Sequence, residues 1–346
     1  MNPARTFLRL FLAAAALLGG GIWLAQALID PHNVSPLQWP MNRPMMDINQ
    51  RFMFPQLARR KEYDSAIFGT STVRLLNPTE MDPVFGTKFS NMAMNAATPW
   101  EQMQLAGLFM HHHPSARMII FGLDTTWCET DADIKKLTFR PFPASFYDED
   151  RYNDFSHFFS LKSVEISVRL GAYHAGTLPP RIRPDGYEVF VPREETYDLA
   201  RAQFHIWGKN ERIIRAVEPS FSYTPESAAA VSFPALAWLE DTLKKASKET
   251  RILLLIPPIH VASQPRPGSR IAALQSVCHQ RIGALGRKYG ASAINMQFSS
   301  PITRDDSNYW DPLHYRVAIA TELVGILKAA IEPEATGGET YLRLDR

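Results

Sequence analysis

The chain has 346 residues, 45% of them hydrophobic and 11% aromatic, which suits a globular core in one large domain or two small ones. Lys and Arg number 37 against 35 Asp and Glu, and a formal net charge of +2 provides no basic field of the kind that holds nucleic acid. The only two cysteines, Cys128 and Cys278, exclude a disulfide framework, and neither sits in a Cys-x-x-Cys pair, so no structural zinc is expected. One bridge between them stays open if the chain is exported, although nothing in the sequence brings them together.

Leu10 to Ile29 reads LFLAAAALLGGGIWLAQALI, with no charge and one polar side chain, Gln26. As a helix it is long enough to cross a bilayer core of roughly 30 Å. Arg5 and Arg9 precede it and Asp30 follows, so the basic flank is expected to stay in the cytoplasm. Residues 1–9 then form a cytoplasmic stub and residues 10–29 a single transmembrane anchor. The bulk of the chain would lie on the periplasmic side of a cell inner membrane. The rival reading is a cleaved signal peptide, since Ala25-Gln26-Ala27 fits a small-x-small cleavage site. Both readings export the protein.

Residues 30–60 read as a connector that is rich in methionine from Met41 onward. Short apolar strands then alternate with helical patterns over residues 61–332. Ser65–Phe68 predicts a strand, stopped by Gly69, Thr70 and Ser71. Phe89–Met94 predicts a second, Glu101–His112 a helix, and Arg117–Asp124 a buried strand with charges only at its ends. The pattern loosens over about 125–225, which reads as a helical and irregular insertion. Helical patterning resumes over Pro225–Lys248. "RILLLIPP", Arg251–Pro258, is the strongest strand, followed by a helix over Ser269–Tyr289 and a last strand in "ASAINM". "DPLHYRVAIATELVGILKAAI" opens with a turn and closes with a helix, and residues 333–346 read as a polar tail.

Strands alternating with helices predict an α/β fold: a mostly parallel five-stranded sheet between two helical layers. In such sheets ligands sit beyond the carboxyl ends of the strands. Gly69–Ser71, Asn95–Thr98, Gly122–Thr126, Pro257–His260 and the loop before Asp311 all follow strands, so they are expected at one edge. Asp311 and His314 are three apart, a spacing that shares a face in a turn or helix. An Asp there holds one ring nitrogen of the His and leaves the other free as a base for a serine, for which Ser71 is the candidate. Taken alone, Ser71 reads as a helix cap rather than a nucleophile; the company of Asp311 and His314 reverses that. The run His111–His113 reads as a helix end, because consecutive residues do not share a face. Thr70, Asp124, Trp127, His260 and Trp310 are the candidates to line a cleft, with Tyr309 beside them.

The sequence is similar to the SGNH (GDSL-like) hydrolases at "FGTS", Phe68–Ser71, and "DPLH", Asp311–His314. It resembles most the membrane-anchored, extracytoplasmic branch that serves polysaccharide O-acetylation and teichoic-acid D-alanylation, through "SNMAMNAATPWE" and "IIFGLDTTWC". The resemblance covers roughly Ser65–Trp127 and Ile252–Leu327. It implies a flavodoxin-like three-layer fold with Ser71 as nucleophile, His314 as base and Asp311 as its orienter. It also implies an oxyanion hole that includes the Ser71 N–H, a membrane-bound O-acyltransferase partner and a glycan or lipid acceptor, with no cofactor and no metal. Asn95-Ala96-Ala97 stands where the family has a glycine, and Asp124 stands near its usual asparagine. Asn91 and Asn95 are the substitute oxyanion donors. Function therefore reads as extracytoplasmic serine-dependent acyl transfer, with acetyl as the expected group (O-acetylation or a related acylation), to a cell-envelope polysaccharide or lipid. An esterase releasing acyl groups to water and a non-catalytic scaffold remain as alternatives.

Overall fold

The computed structural model describes residues 3–37 and 40–346. The chain is α/β and divides into two compact units. One comprises Met1–Gln56 with Phe142–Pro184, and the other Leu57–Pro141 with Asp185–Arg346.

The second unit holds the sheet. Its strands are β1 (Ser65–Phe68), β2 (Phe89–Asn91), β3 (Met118–Gly122), β4 (Arg251–Ile256), β5 (Ser292–Asn295) and β6 (Leu342–Arg343), in the order β2-β1-β3-β4-β5-β6. All pairings are parallel except β5 with β6, which is antiparallel. The expected five-stranded, mostly parallel sheet is thus a mixed sheet of six. The sixth strand comes from the segment read as a polar tail, where only two residues pair and no apolar run announces them. Arg343 is held there by Asp345 and by the Ala330 carbonyl, and Leu344 N–H donates to the Ala293 carbonyl. A glycine on the neighbouring helix makes room, because a Cβ at Gly283 would stand 2.2 Å from the Leu344 carbonyl oxygen.

The helices, in chain order, are α1 (Pro3–Ile29), α2 (Gln50–Ala58), α3 (Pro78–Phe85), α4 (Pro99–His112), α5 (Leu161–His174), α6 (Leu199–Trp207), α7 (Pro225–Ala230), α8 (Pro234–Lys245), α9 (Arg270–Tyr289), α10 (Pro301–Arg304) and α11 (Val317–Ala330). The helical run expected over Pro225–Lys248 is two helices, since Pro234 restarts the chain as the first residue of α8. Helix α2 lies within the connector, and α3 follows the Ser71 turn with Asn77 as its cap and Pro78 at its start. Ile67, Ile120, Leu253, Leu255 and Ile294 share one apolar cluster with Met81 and Phe85 of α3 and Leu323 and Leu327 of α11. Phe68 meets Phe121 and also Phe109 of α4, with ring centroids 5.7 and 5.8 Å apart. Strand residues thus alternate in direction along the chain, and each set finds a helix to bury against.

Cys128 and Cys278 form a disulfide. It joins the turn after β3 to α9, across 150 residues of sequence.

The first unit has no named strand among its described residues. Helix α1 is long and apolar enough to cross a membrane, with a mean hydropathy of 1.9 over its most apolar window. Its last turns pack on the 142–184 segment: Trp23 Nε1 donates to the Phe155 carbonyl, and Gln26 accepts from Ser167 Oγ at 2.6 Å. Asp30 then closes the helix end, accepting the N–H groups of Val34 and Ser35.

Candidate active site

Strands paired in parallel with matched register end together. Phe68 lies opposite Phe121, Gly122 opposite Leu255 and Ile256 opposite Asn295. The segments leaving these ends meet in one cavity of about 520 Å³. It draws on Thr70–Thr72 after β1, Ala96–Pro99 after β2, Asp124–Thr126 after β3, Pro257 and Ile259 after β4, and Gln297 after β5, with Leu313 beside them. The expected convergence at one edge is what the fold produces.

Ser71 is half-buried at this edge and opens a short 3₁₀ turn, Ser71–Val73, with Thr70 before it in extended backbone (φ −109°, ψ −165°). The turn is tight because β1 ends against β3: a Cβ on Gly69 would meet Val73 at 2.5 Å and the Gly122 carbonyl at 3.2 Å. Ser71 Oγ lies 2.8 Å from His314 Nε2, and His314 Nδ1 lies 2.7 Å from Asp311 Oδ2. The other oxygen of Asp311 accepts the N–H groups of Leu313 and His314, which sets the turn. Burial pushes the Asp311 carboxyl up, but the His314 hydrogen bond, its charge and these two N–H groups outweigh that and hold it below the usual carboxylate range. A carboxylate on Nδ1 places the imidazole proton there and turns the Nε2 lone pair to the serine. This arrangement can withdraw the Ser71 proton and stabilise the imidazolium that results. As the first residue of its turn, Ser71 carries an N–H with no partner inside the helix, the kind of donor that can face an oxyanion.

The cleft candidates divide. Thr70 and Asp124 line the cavity. Thr70 Oγ1 donates to Asp124 Oδ2 at 2.7 Å, and Thr126 donates to Oδ1 through its N–H and its hydroxyl. Burial raises the Asp124 carboxyl above its ordinary range, against the pull of those hydrogen bonds from Thr126 and Thr70. Trp127 is not in the cleft. It is wholly buried, because the 3₁₀ turn after Asp124 points it into the core. Trp310 is likewise absent from the lining; its ring packs on Arg201 and His205, while its backbone N–H donates to the His314 carbonyl. Tyr309 is buried in the core. His260 is fully buried and does not reach the cavity. Its N–H donates to the Pro312 carbonyl, its Nδ1 accepts from Ala262, and its Nε2 lies 3.2 Å from Asp306. It therefore braces the Asp311–His314 turn from behind. Burial lowers its pKa, with Asp306 opposing.

The asparagine donors need correction. Asn91 Nδ2 donates to the carbonyls of Val73, Arg74 and Leu76, and its Oδ1 accepts the Ala93 N–H, so it ties down the turn after Ser71 and does not face the cavity. Asn95 does not line the cavity, and its Oδ1 accepts from Arg74. Ala96 does line it, with φ +48°, a left-handed conformation in which glycine is unstrained.

One positioning group escaped the sequence reading. Arg74 is fully buried and pairs with Glu188, and its guanidinium lies 5.1 Å from the Phe190 ring. Phe190 in turn meets the His314 ring edge-on at 5.1 Å. The legible signal was an arginine inside the apolar run "TVRLL"; its carboxylate and ring partners, Glu188 and Phe190, lie more than 100 residues on, in the segment read as insertion. The His111–His113 run ends α4. His113 is buried, stacks on Phe109 and hydrogen-bonds the Ala58 carbonyl through Nε2.

No family model matches the chain, and no curated protein matches it.

Proposed function

We propose that the chain is an extracytoplasmic serine acyl-transfer protein of SGNH-like, three-layer α/β/α architecture. The observation that carries the reading is the hydrogen-bonded row Asp311–His314–Ser71, opening on a cavity at the carboxyl edge of the sheet. In the first half-reaction His314 takes the Ser71 proton, Ser71 Oγ attacks the donor's acyl carbonyl, and the proton passes to the leaving group. The acyl group then rests on Ser71 as an ester. In the second, an acceptor hydroxyl gives its proton to His314 and attacks that ester, and the proton returns to Ser71. Helix α1 supports membrane attachment, and the Cys128–Cys278 bridge favours an oxidising compartment such as the periplasm. A membrane-bound O-acyltransferase as donor and a cell-envelope glycan or lipid as acceptor rest on the resemblance at "FGTS" and "DPLH" alone.

A serine-reactive fluorophosphonate probe tests the reading. The full chain should label, Ser71→Ala should not, and mass spectrometry should place the adduct on Ser71. A folded protein that stays unlabelled would be the scaffold alternative. Rapid turnover of an acylated Ser71 by water, undiminished by any acceptor alcohol, would make it an esterase.

A further inference from the structure

We propose that the cavity beside Ser71 takes a hydrocarbon acyl chain, so that the group carried is a medium-chain acyl rather than acetyl. The inference rests on the serine acyl-transfer reading and names its substrate class. Four observations lead to it.

The first is size. At about 520 Å³ the cavity falls within the roughly 300–1,000 Å³ of pockets that hold drug-sized ligands, whereas acetyl presents one methyl group. The second is the wall. Ala96, Ala97, Pro99, Ile259 and Leu313 supply apolar surface around the serine. The third is the state of the polar groups there. Asp124 is taken up by Thr70 and Thr126, Lys135 pairs with Glu129 and Asp131, Thr98 donates to the Lys136 carbonyl, and Gln297 to Gln275. The tryptophans that would stack on a sugar lie elsewhere, Trp127 in the core and Trp310 against Arg201. The fourth is the lip. The loop 129–139 carries Ile134, Leu137 and Phe139 at 83%, 52% and 89% exposure, and the last two line the cavity. Single exposed apolar side chains are ordinary, but three on one loop at the mouth of an apolar cavity mark a surface that a chain would cover.

The experiment uses the full chain in phospholipid nanodiscs and a series of p-nitrophenyl esters from acetate through butyrate to octanoate. Each buried methylene is worth about fourfold. kcat/KM should therefore rise at least about tenfold from acetate to octanoate. In Leu137→Asp/Phe139→Asp the octanoate-to-acetate ratio should fall several-fold. A second arm compares ethyl with octyl acetate; a gain that follows the alcohol chain would assign the cavity to the acceptor side and overturn the acyl assignment. Preference for acetate with normal fluorophosphonate labelling would overturn the chain proposal and leave serine acyl transfer standing. No labelling and no ester turnover would overturn both.

Discussion

Each unit of the molecule holds a histidine against a serine at nearly the same distance. In the sheet unit His314 Nε2 lies 2.8 Å from Ser71 Oγ; in the α1 unit His32 Nε2 lies 2.9 Å from Ser163 Oγ. Everything around the two pairs differs. His314 is held by a carboxylate through Nδ1, and Ser71 opens on a cavity. His32 Nδ1 is buried without a hydrogen-bond partner, the ring sits between Phe52 and Phe146, and Ser163 donates to the His157 carbonyl. Burial pushes the His32 pKa down to about 3. A close His–Ser contact is thus a common way to satisfy two buried polar groups. What would make one of them a nucleophile is access for a substrate and a negative charge behind the imidazole.

The most direct way to break this comparison is to remove each serine. Ser71→Ala should lower ester turnover by about 10⁶-fold, the order seen when a triad serine is lost. Ser163→Ala should leave turnover intact and cost about 1 kcal/mol of stability, the worth of a hydrogen bond. Equal loss of activity in both would mean that Ser71 has no special role. The carboxylate is the next test. Asp311→Asn keeps the turn's shape but favours the wrong tautomer, and kcat should fall about 10⁴-fold. Fluorophosphonate labelling should slow in parallel.

Arg74 separates geometry from chemistry. Arg74→Ala takes a buried guanidinium away from the partly buried Glu188, so the cost should fall below the about 3–5 kcal/mol typical of a fully buried pair. It also removes the support beneath Phe190, which packs on His314. Thermal denaturation should show the loss, and labelling of Ser71 should slow while the protein remains folded. A stable variant with normal labelling would show that the pair does not hold the site.

How much of this was legible follows from the range of the interactions. Residues 65–71, 117–124 and 251–258 announce their strands through local apolar runs, and Asp311 and His314 share a turn, so the row was readable from two short motifs. The two-residue strand β6 was not, since pairing with β5 rather than its own pattern makes it a strand. Nor were the tryptophans. Trp127 follows a strand end as a cleft residue would, but the direction of a side chain in its 3₁₀ turn depends on packing, and Trp310 sits in a bend, its ring packed on Arg201 and His205. Asn91 and Ala96 show the same limit. The amide went to three backbone carbonyls and the left-handed φ to an alanine, and neither choice is written in residue type.

The smallest expected effect concerns the other histidine and acts through pH. In the folded chain His32 titrates near 3, against an ordinary value of 6.5. Between those limits the unfolded chain binds a proton that the fold refuses, so stability rises with pH across that window and falls as acid is added. Other buried histidines, such as His279 at about 4, add slopes of the same sign, so the full chain alone does not isolate His32. His32→Phe removes one titrating group from a site already lined by Phe52 and Phe146, and Ser163 keeps its bond to the His157 carbonyl. Its melting temperature should fall less steeply than the parent's as pH drops from 6.5 toward 3, and fluorophosphonate labelling of Ser71 at neutral pH should match the parent's. Identical slopes would mean that His32 protonates freely in the fold, and with that the contrast between its closed aromatic pocket and the open edge at Ser71 would fail.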